Sequence, residues 1–258
     1  CWSPGGPNIP QRWPEIEAAV QALGTSSVPG IAQTITMTYS FLQANTIFTN
    51  IPWLVGSNFG PSAAVEQLVG ATGSFSNTCL PYNKTYVQSH AQWQAEIASI
   101  FGEVKALLEG MFNTSCGYGA DLTINFTDLG YESGPADMNS TMNPGNGVFF
   151  TDSGGVSNIG DFRIGLSDFG FLGNCPCTGG CSNGILGLCF NAPLTSAAIG
   201  LNKPTAVTGT LIFDVNENWR SEVMGQPLVP NSFSIKAIGV HEILHGFGYV
   251  HDFLSFGG

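Results

Sequence analysis

The stretch of this chain best suited to chemistry reads His241-Glu242-Ile243-Leu244-His245-Gly246-Phe247-Gly248-Tyr249-Val250-His251-Asp252. It holds three of the four histidines in the sequence. His241 and His245 have an i, i+4 spacing, so a helix presents both imidazoles from one face. Two neutral ring nitrogens placed in this way can meet one metal ion. Gly248 can adopt the left-handed conformation that ends a helix, which lets the chain fold back and bring His251 to the same ion. Three protein ligands with an open fourth position define a catalytic zinc rather than a structural one. Glu242, beside the first ligand, is placed to take a proton from a water on the metal. With this composition the whole pattern H-E-x-x-H-x-x-G-x-x-H should arise by chance in on the order of one in 10⁵ chains. A bare H-E-x-x-H says less, because paired histidines on a buried helix face are often hydrogen-bonded core residues.

These side chains need elements to hold them. The helix that carries them is expected to begin near Ser232 or Ser234, with Ile235, Ile238, Ile243 and Leu244 on its apolar side. Ser89 to Phe112 is the clearest helix in the chain. Ser89 and Gln92 form a capping box, and Trp93, Ile97, Ile100, Phe101, Val104, Leu107, Leu108 and Met111 recur at helical spacing. His90, at its start, is read as solvated rather than as a ligand. Strands are expected at Ile35–Phe41, Leu122–Phe126, Phe162–Leu166 and Thr208–Asp214, from alternation and β-branched or aromatic content; a cysteine-dense segment and then Gly184–Phe190 lie between the last two. The Gly-, Asn- and Ser-rich stretch 130–158 reads as a loop, and 44–87 as irregular with a short helix at Ser62–Val69. Before the first strand come an extended, proline-rich arm over residues 1–13 and a short helix over Pro14–Leu23.

Composition sets outer bounds. A chain of 258 residues, 43% of them hydrophobic, can bury a substantial core as one large domain or two small ones. Only 10% are charged and 34 are glycine, which fits a loop-rich globular protein rather than a disordered one. A net charge of −11 with seven Lys and Arg argues against nucleic acid as a partner, and the excess carboxylates can hold calcium. No apolar run is long enough for a transmembrane segment. The chain starts at Cys1 without the basic and apolar regions of a signal peptide, so either one was removed or there was none. Seven cysteines suggest an oxidising compartment, extracellular or at the cell surface. Sequons at Asn83, Asn113, Asn125 and Asn139 add weak support for a glycoprotein. Cys175, Cys177, Cys181 and Cys189 can form disulfides or a thiolate zinc site; their spacing lacks paired C-x₂-C knuckles, which favours disulfides. Cys79 and Cys116 flank the long helix and can pair. Cys1 is then left over, as a free thiol, a link to another chain or a lipid anchor.

The zinc motif is the signature of the metzincin clan of zinc peptidases, and this chain resembles that clan. Gly160-Asp161-Phe162-Arg163-Ile164 resembles the matrixin "ADIRI" strand, and Phe213-Asp214-Val215-Asn216-Glu217-Asn218-Trp219 the matrixin "FDxxExW". Asp252 is adamalysin-like; matrixins usually have Ser there. The resemblance spans roughly residues 30–252 with long insertions. It implies an α+β fold: a twisted mixed sheet, a long backing helix and an active-site helix. Residues 1–30 would be an arm with a short helix, and 31–258 the metzincin-like catalytic domain. It further implies a secreted endopeptidase with a catalytic Zn²⁺ held by His241, His245 and His251, and Glu242 as the base. A protein or peptide substrate would lie extended along Gly184, Ile185, Leu186, Gly187 and Leu188. Asp214 and Glu217 resemble the matrixin ligands of a structural Ca²⁺, though solvated loop carboxylates would look the same. Metzincins carry a methionine turn beneath the zinc; here seven residues follow His251 and none is Met. That C-terminal subdomain is therefore missing from this chain. A cleaved C-terminal fragment or a partner chain is expected to cover the zinc site. The reading from a different class is a non-catalytic structural or binding protein on the same scaffold.

Overall fold

Strand β1 (Gln33–Phe41) carries the period-two pattern: Ile35, Met37, Tyr39 and Phe41 are buried, while Thr34 and Thr36 are exposed. After it come β2 (Ile47–Thr49), α1 (His90–Gly110), β3 (Leu122–Tyr131), β4 (Asp137–Asn143), β5 (Gly147–Asp152) and β6 (Phe162–Ser167). The order continues with β7 (Gly187–Leu194), β8 (Ala206–Asp214), β9 (Trp219–Arg220), β10 (Phe233–Ser234) and α2 (Ile235–Gly246). The structure is a computed structural model that describes residues 32–43, 47–49, 90–111, 113, 122–134, 137–143, 147–152, 157–167, 186–194, 206–214, 219–223, 225 and 233–247. The expected arm and helix within residues 1–30, the helix at Ser62–Val69 and the capping Ser89 lie outside the described residues.

The main sheet has the order β3-β1-β6-β8-β7. Its first four strands run parallel, and β7 pairs antiparallel with β8 at one edge. Strands buried on both sides in such a sheet read as apolar runs, as Leu211-Ile212-Phe213 does in β8, where all three are buried. One face of the sheet receives α1 through Trp93, Ile97, Ile100, Phe101, Val104 and Leu108, all buried. Phe101 stacks on Tyr39 at 4.3 Å between ring centroids and meets Phe126 and Phe162 at 4.8 and 5.6 Å. Leu107 departs from the expected apolar stripe and is 46% exposed. Glu96 departs the other way: it is fully buried, and its carboxylate accepts hydrogen bonds from Ser221 Oγ and the Val223 N–H, tying the segment after β9 to the long helix.

The stretch 130–158 is not the loop expected from its composition. β4 and β5 form an antiparallel pair within it, and β2 adds to β4 in parallel, giving a separate sheet in the order β2-β4-β5. The strand β2 likewise falls inside a stretch read as irregular. The signal was present: Pro144-Gly145 is a turn dipeptide and Val148-Phe149-Phe150 are β-formers, both submerged in a Gly- and Asn-rich background. Beside this insertion lies a buried ion pair. Arg163 donates from Nε and Nη2 to the two carboxylate oxygens of Glu132 at 2.7 and 2.6 Å, and Ser40 Oγ donates to Glu132 Oε1 at 3.0 Å. The fork geometry and the added hydroxyl satisfy both charges away from water. Among the described residues no helix is long and apolar enough to cross a membrane.

The two helices approach each other at Gly239. A Cβ there would lie 2.4 Å from Ile100 Cδ1 and 3.2 Å from Phe213 Cζ. Gly239→Ala should therefore lower the melting temperature. Alanine favours a helix by about 1 kcal/mol over glycine, but overpacking a closed core costs about 1–3 kcal/mol. A melting temperature equal to or above the parent's would show that Ile100 yields without cost.

Candidate metal centre

The helix α2 is fixed at both ends before its side chains are considered. Ser234 is its N-cap, with extended φ −74° and ψ 118°, and its Oγ accepts from the Ala237 N–H at 3.0 Å. The same hydroxyl donates to Glu222 Oε1 at 2.5 Å. At the other end Phe247 is buried against Phe162 and Phe126, at 5.2 and 6.3 Å between centroids. Its N–H donates to the Ile243 and Leu244 carbonyls at 3.0 Å each. Ile235, Gly239, Ile243 and Gly246 are buried, and Ile238 and Leu244 pack partly buried against the core, so the expected apolar side is the observed one.

The opposite face carries the histidines. His241 Nε2 and His245 Nε2 lie 3.1 Å apart, with the rings nearly perpendicular at 85°. Tetrahedral zinc with bonds of about 2.0–2.1 Å would hold two nitrogens about 3.3 Å apart. At 3.1 Å one ring nitrogen can donate a hydrogen bond to the other, and the separation is also close to the one that two neutral imidazoles would have on a shared zinc ion. His251 lies outside the described residues. Among the described residues no group of three or more His, Cys, Asp or Glu is placed to hold a metal ion.

Glu242 points from the helix toward β7. Its Oε2 accepts from the Cys189 N–H at 3.1 Å, and its Oε1 lies 3.9 Å from His241 Nε2. Its side chain is 14% exposed, against 46% for His241. Burial pushes the Glu242 carboxyl up from 4.5 to about 7, and the Cys189 N–H opposes part of that rise. The Cys189 thiol is pushed up by burial first and then by the Glu242 charge, so it is kept protonated. Cys189 is a free cysteine; the other six cysteines lie outside the described residues.

Gly187 makes this approach possible. A Cβ there would lie 3.3 Å from both Glu242 Cγ and the Ile212 carbonyl oxygen, and 3.4 Å from Ile238 Cγ2. The sequence places Gly187 in a substrate strand but does not show that it leaves room for Glu242. Nor does it show that a backbone N–H of that strand orients the carboxylate. These contacts join β7 to α2 across 53 residues, and no local spacing encodes them.

The structure thus brings His241, Glu242 and His245 together, with Gly187 against Glu242, while Leu186 is partly buried against the core. Leu188 is in β7, paired with Ile212. Gly184, Ile185 and Glu217 lie outside the described residues, and Asp214 closes β8 opposite Ser167. The expected open surface near His251–Gly258 also lies outside them.

Among the described residues, the class these features define is a mixed α/β protein in which α2 presents two converging histidines and a half-buried glutamate beside an antiparallel edge strand. No protein-family model matches the chain, and no curated protein and no solved structure matches it either.

Proposed function

We propose that this chain is a zinc-dependent endopeptidase of metzincin type. The observation that carries the reading is the convergence of His241 and His245 at 3.1 Å with Glu242 half-buried next to them. The mixed sheet backed by α1, with α2 packed beside the edge strand β7, supports it by matching the arrangement that the motif's resemblance implies.

His241, His245 and His251 would hold the ion. When bound, zinc lowers the pKa of water toward about 7 and polarises a carbonyl. The rest falls to the chain. Glu242 accepts a proton and passes it to the leaving amine, the role of a positioned carboxylate beside the ion. The Cys189 N–H holds the carboxylate in place during both transfers. β7 bonds on one side to β8, and among the described residues no strand pairs with its other side, where an extended peptide would add.

Metal removal tests this reading. The purified protein should contain one zinc ion per chain by elemental analysis. It should lose cleavage of unstructured fluorogenic peptides after treatment with a strong chelator and regain it on adding zinc. Cleavage that persists in zinc-free protein would sink the proposal. A folded, zinc-loaded protein that cleaves nothing would favour the non-catalytic scaffold instead.

A further inference from the structure

The two ends of the main sheet are not alike. β7 ends it on one side and β3 on the other, where β3 pairs with β1 alone. A strand in this position turns alternate N–H and C=O groups outward, a template on which another strand can add. At Leu122 and Ile124 those groups are already bonded by side chains from α1 and the residues just after it. The Leu122 N–H donates to Asn113 Oδ1 at 3.1 Å, and Asn113 Nδ2 donates to the Leu122 carbonyl at 2.9 Å. The Ile124 N–H donates to Glu109 Oε1 at 2.7 Å, and Lys105 Nζ donates to the Ile124 carbonyl at 2.5 Å. Lys105 also donates to Glu109, which fixes the pair. The three residues recur every four positions, so the helix that buries Val104 and Leu108 in the core lays them in a row along β3. At the far end of β3 the ladder to β1 shifts between Tyr39 and Phe41, Gly130 takes φ 74°, and its N–H donates to Asp128 Oδ1 at 2.6 Å. The edge is thus blocked by side chains where it starts and bent out of register where it ends.

We infer that Lys105, Glu109 and Asn113 form a side-chain cap on β3 that keeps a second copy of this chain from adding there. The partner is named by the strand itself. Residues 122–127 read Leu-Thr-Ile-Asn-Phe-Thr, with alternating apolar residues and no charge, Pro or Gly. A segment of that composition at an open edge pairs with its own copy. Nothing in this inference rests on the peptidase reading, and its test uses no cleavage.

The test compares the parent with Glu109→Ala/Asn113→Ala. Both side chains are partly exposed, so water can take over their bonds and the variant is expected to fold. In the parent, which should stay monomeric, the Leu122 and Ile124 amides should be protected from hydrogen exchange. In the dilute variant they should exchange at least about tenfold faster, with β6 and β8 unchanged. Sedimentation over a concentration series should then show a dimer that the parent does not form, and the same two amides should regain protection as it appears. Glu109→Gln keeps an acceptor for the Ile124 N–H and should behave as the parent. Exchange at the parent's rate in the folded double variant would overturn the cap. A variant that exchanges faster yet stays monomeric throughout, or dimerises without protecting these amides, would overturn the exclusion of a second copy. Dimerisation of Glu109→Gln would assign the effect to lost charge and overturn the cap as well. Should the double variant not fold, Asn113→Ala is read in the same way at Leu122, and unprotected Leu122 and Ile124 amides in the parent would by themselves sink the inference.

Discussion

His241→Ala should empty the metal site while leaving the fold in place. The imidazole is 46% exposed, so its loss opens no cavity in the core, and α2 stays anchored by Ser234 and Phe247. What disappears is one of two nitrogens that meet at a point. Losing a group that merely orients a ligand weakens metal binding by about 10–100-fold, and losing the ligand itself should exceed the upper end of that range. Competition with a chromophoric chelator measures the affinity, and native mass spectrometry counts the ions. If the variant retains one zinc ion per chain at the parent's affinity, the assignment of the site to this helix is wrong.

Glu242→Gln should do the opposite: keep the zinc and lose the chemistry. The amide oxygen of Gln can still accept from the Cys189 N–H, and its length suits the gap that Gly187 leaves. It cannot accept a proton at neutral pH. The rate of peptide hydrolysis should fall by about 10²–10⁴-fold, the usual contribution of a positioned base. Zinc content and melting temperature should stay close to those of the parent. Undiminished cleavage by a rigorously purified variant would remove Glu242 from the mechanism.

Much of the frame was legible because it is written in local periodicity. The long helix was read as Ser89–Phe112 and spans His90–Gly110. β1, β3, β6 and β8 overlap their expected stretches and run two to five residues further in all but β6, which runs one further. The His241–His245 pair was legible for the same reason, since one helical turn fixes their separation. What escaped was written at long range. Glu132 and Arg163 find each other across 31 residues, and Ser40 reaches Glu132 across 92. Glu96 is held by Ser221 across 125 residues, which no helical spacing announces. The β4–β5 hairpin was missed because composition outweighed its turn signal.

The anchoring of α2 by Phe247 bears on how the protein is made. Phe247 closes a cluster with Phe126 and Phe162, and Gly239 seats against Ile100 and Phe213, so the helix needs β3, β6, β8 and α1 already in place. Every one of those elements precedes it in the chain. During vectorial synthesis the sheet must therefore wait, with an apolar trough uncovered, until residues 235–247 leave the ribosome. The parallel pairings add to the delay, since each closes a long loop before it gains a contact. A chain of this topology seats its two converging histidines on the finished sheet only among the final events of folding.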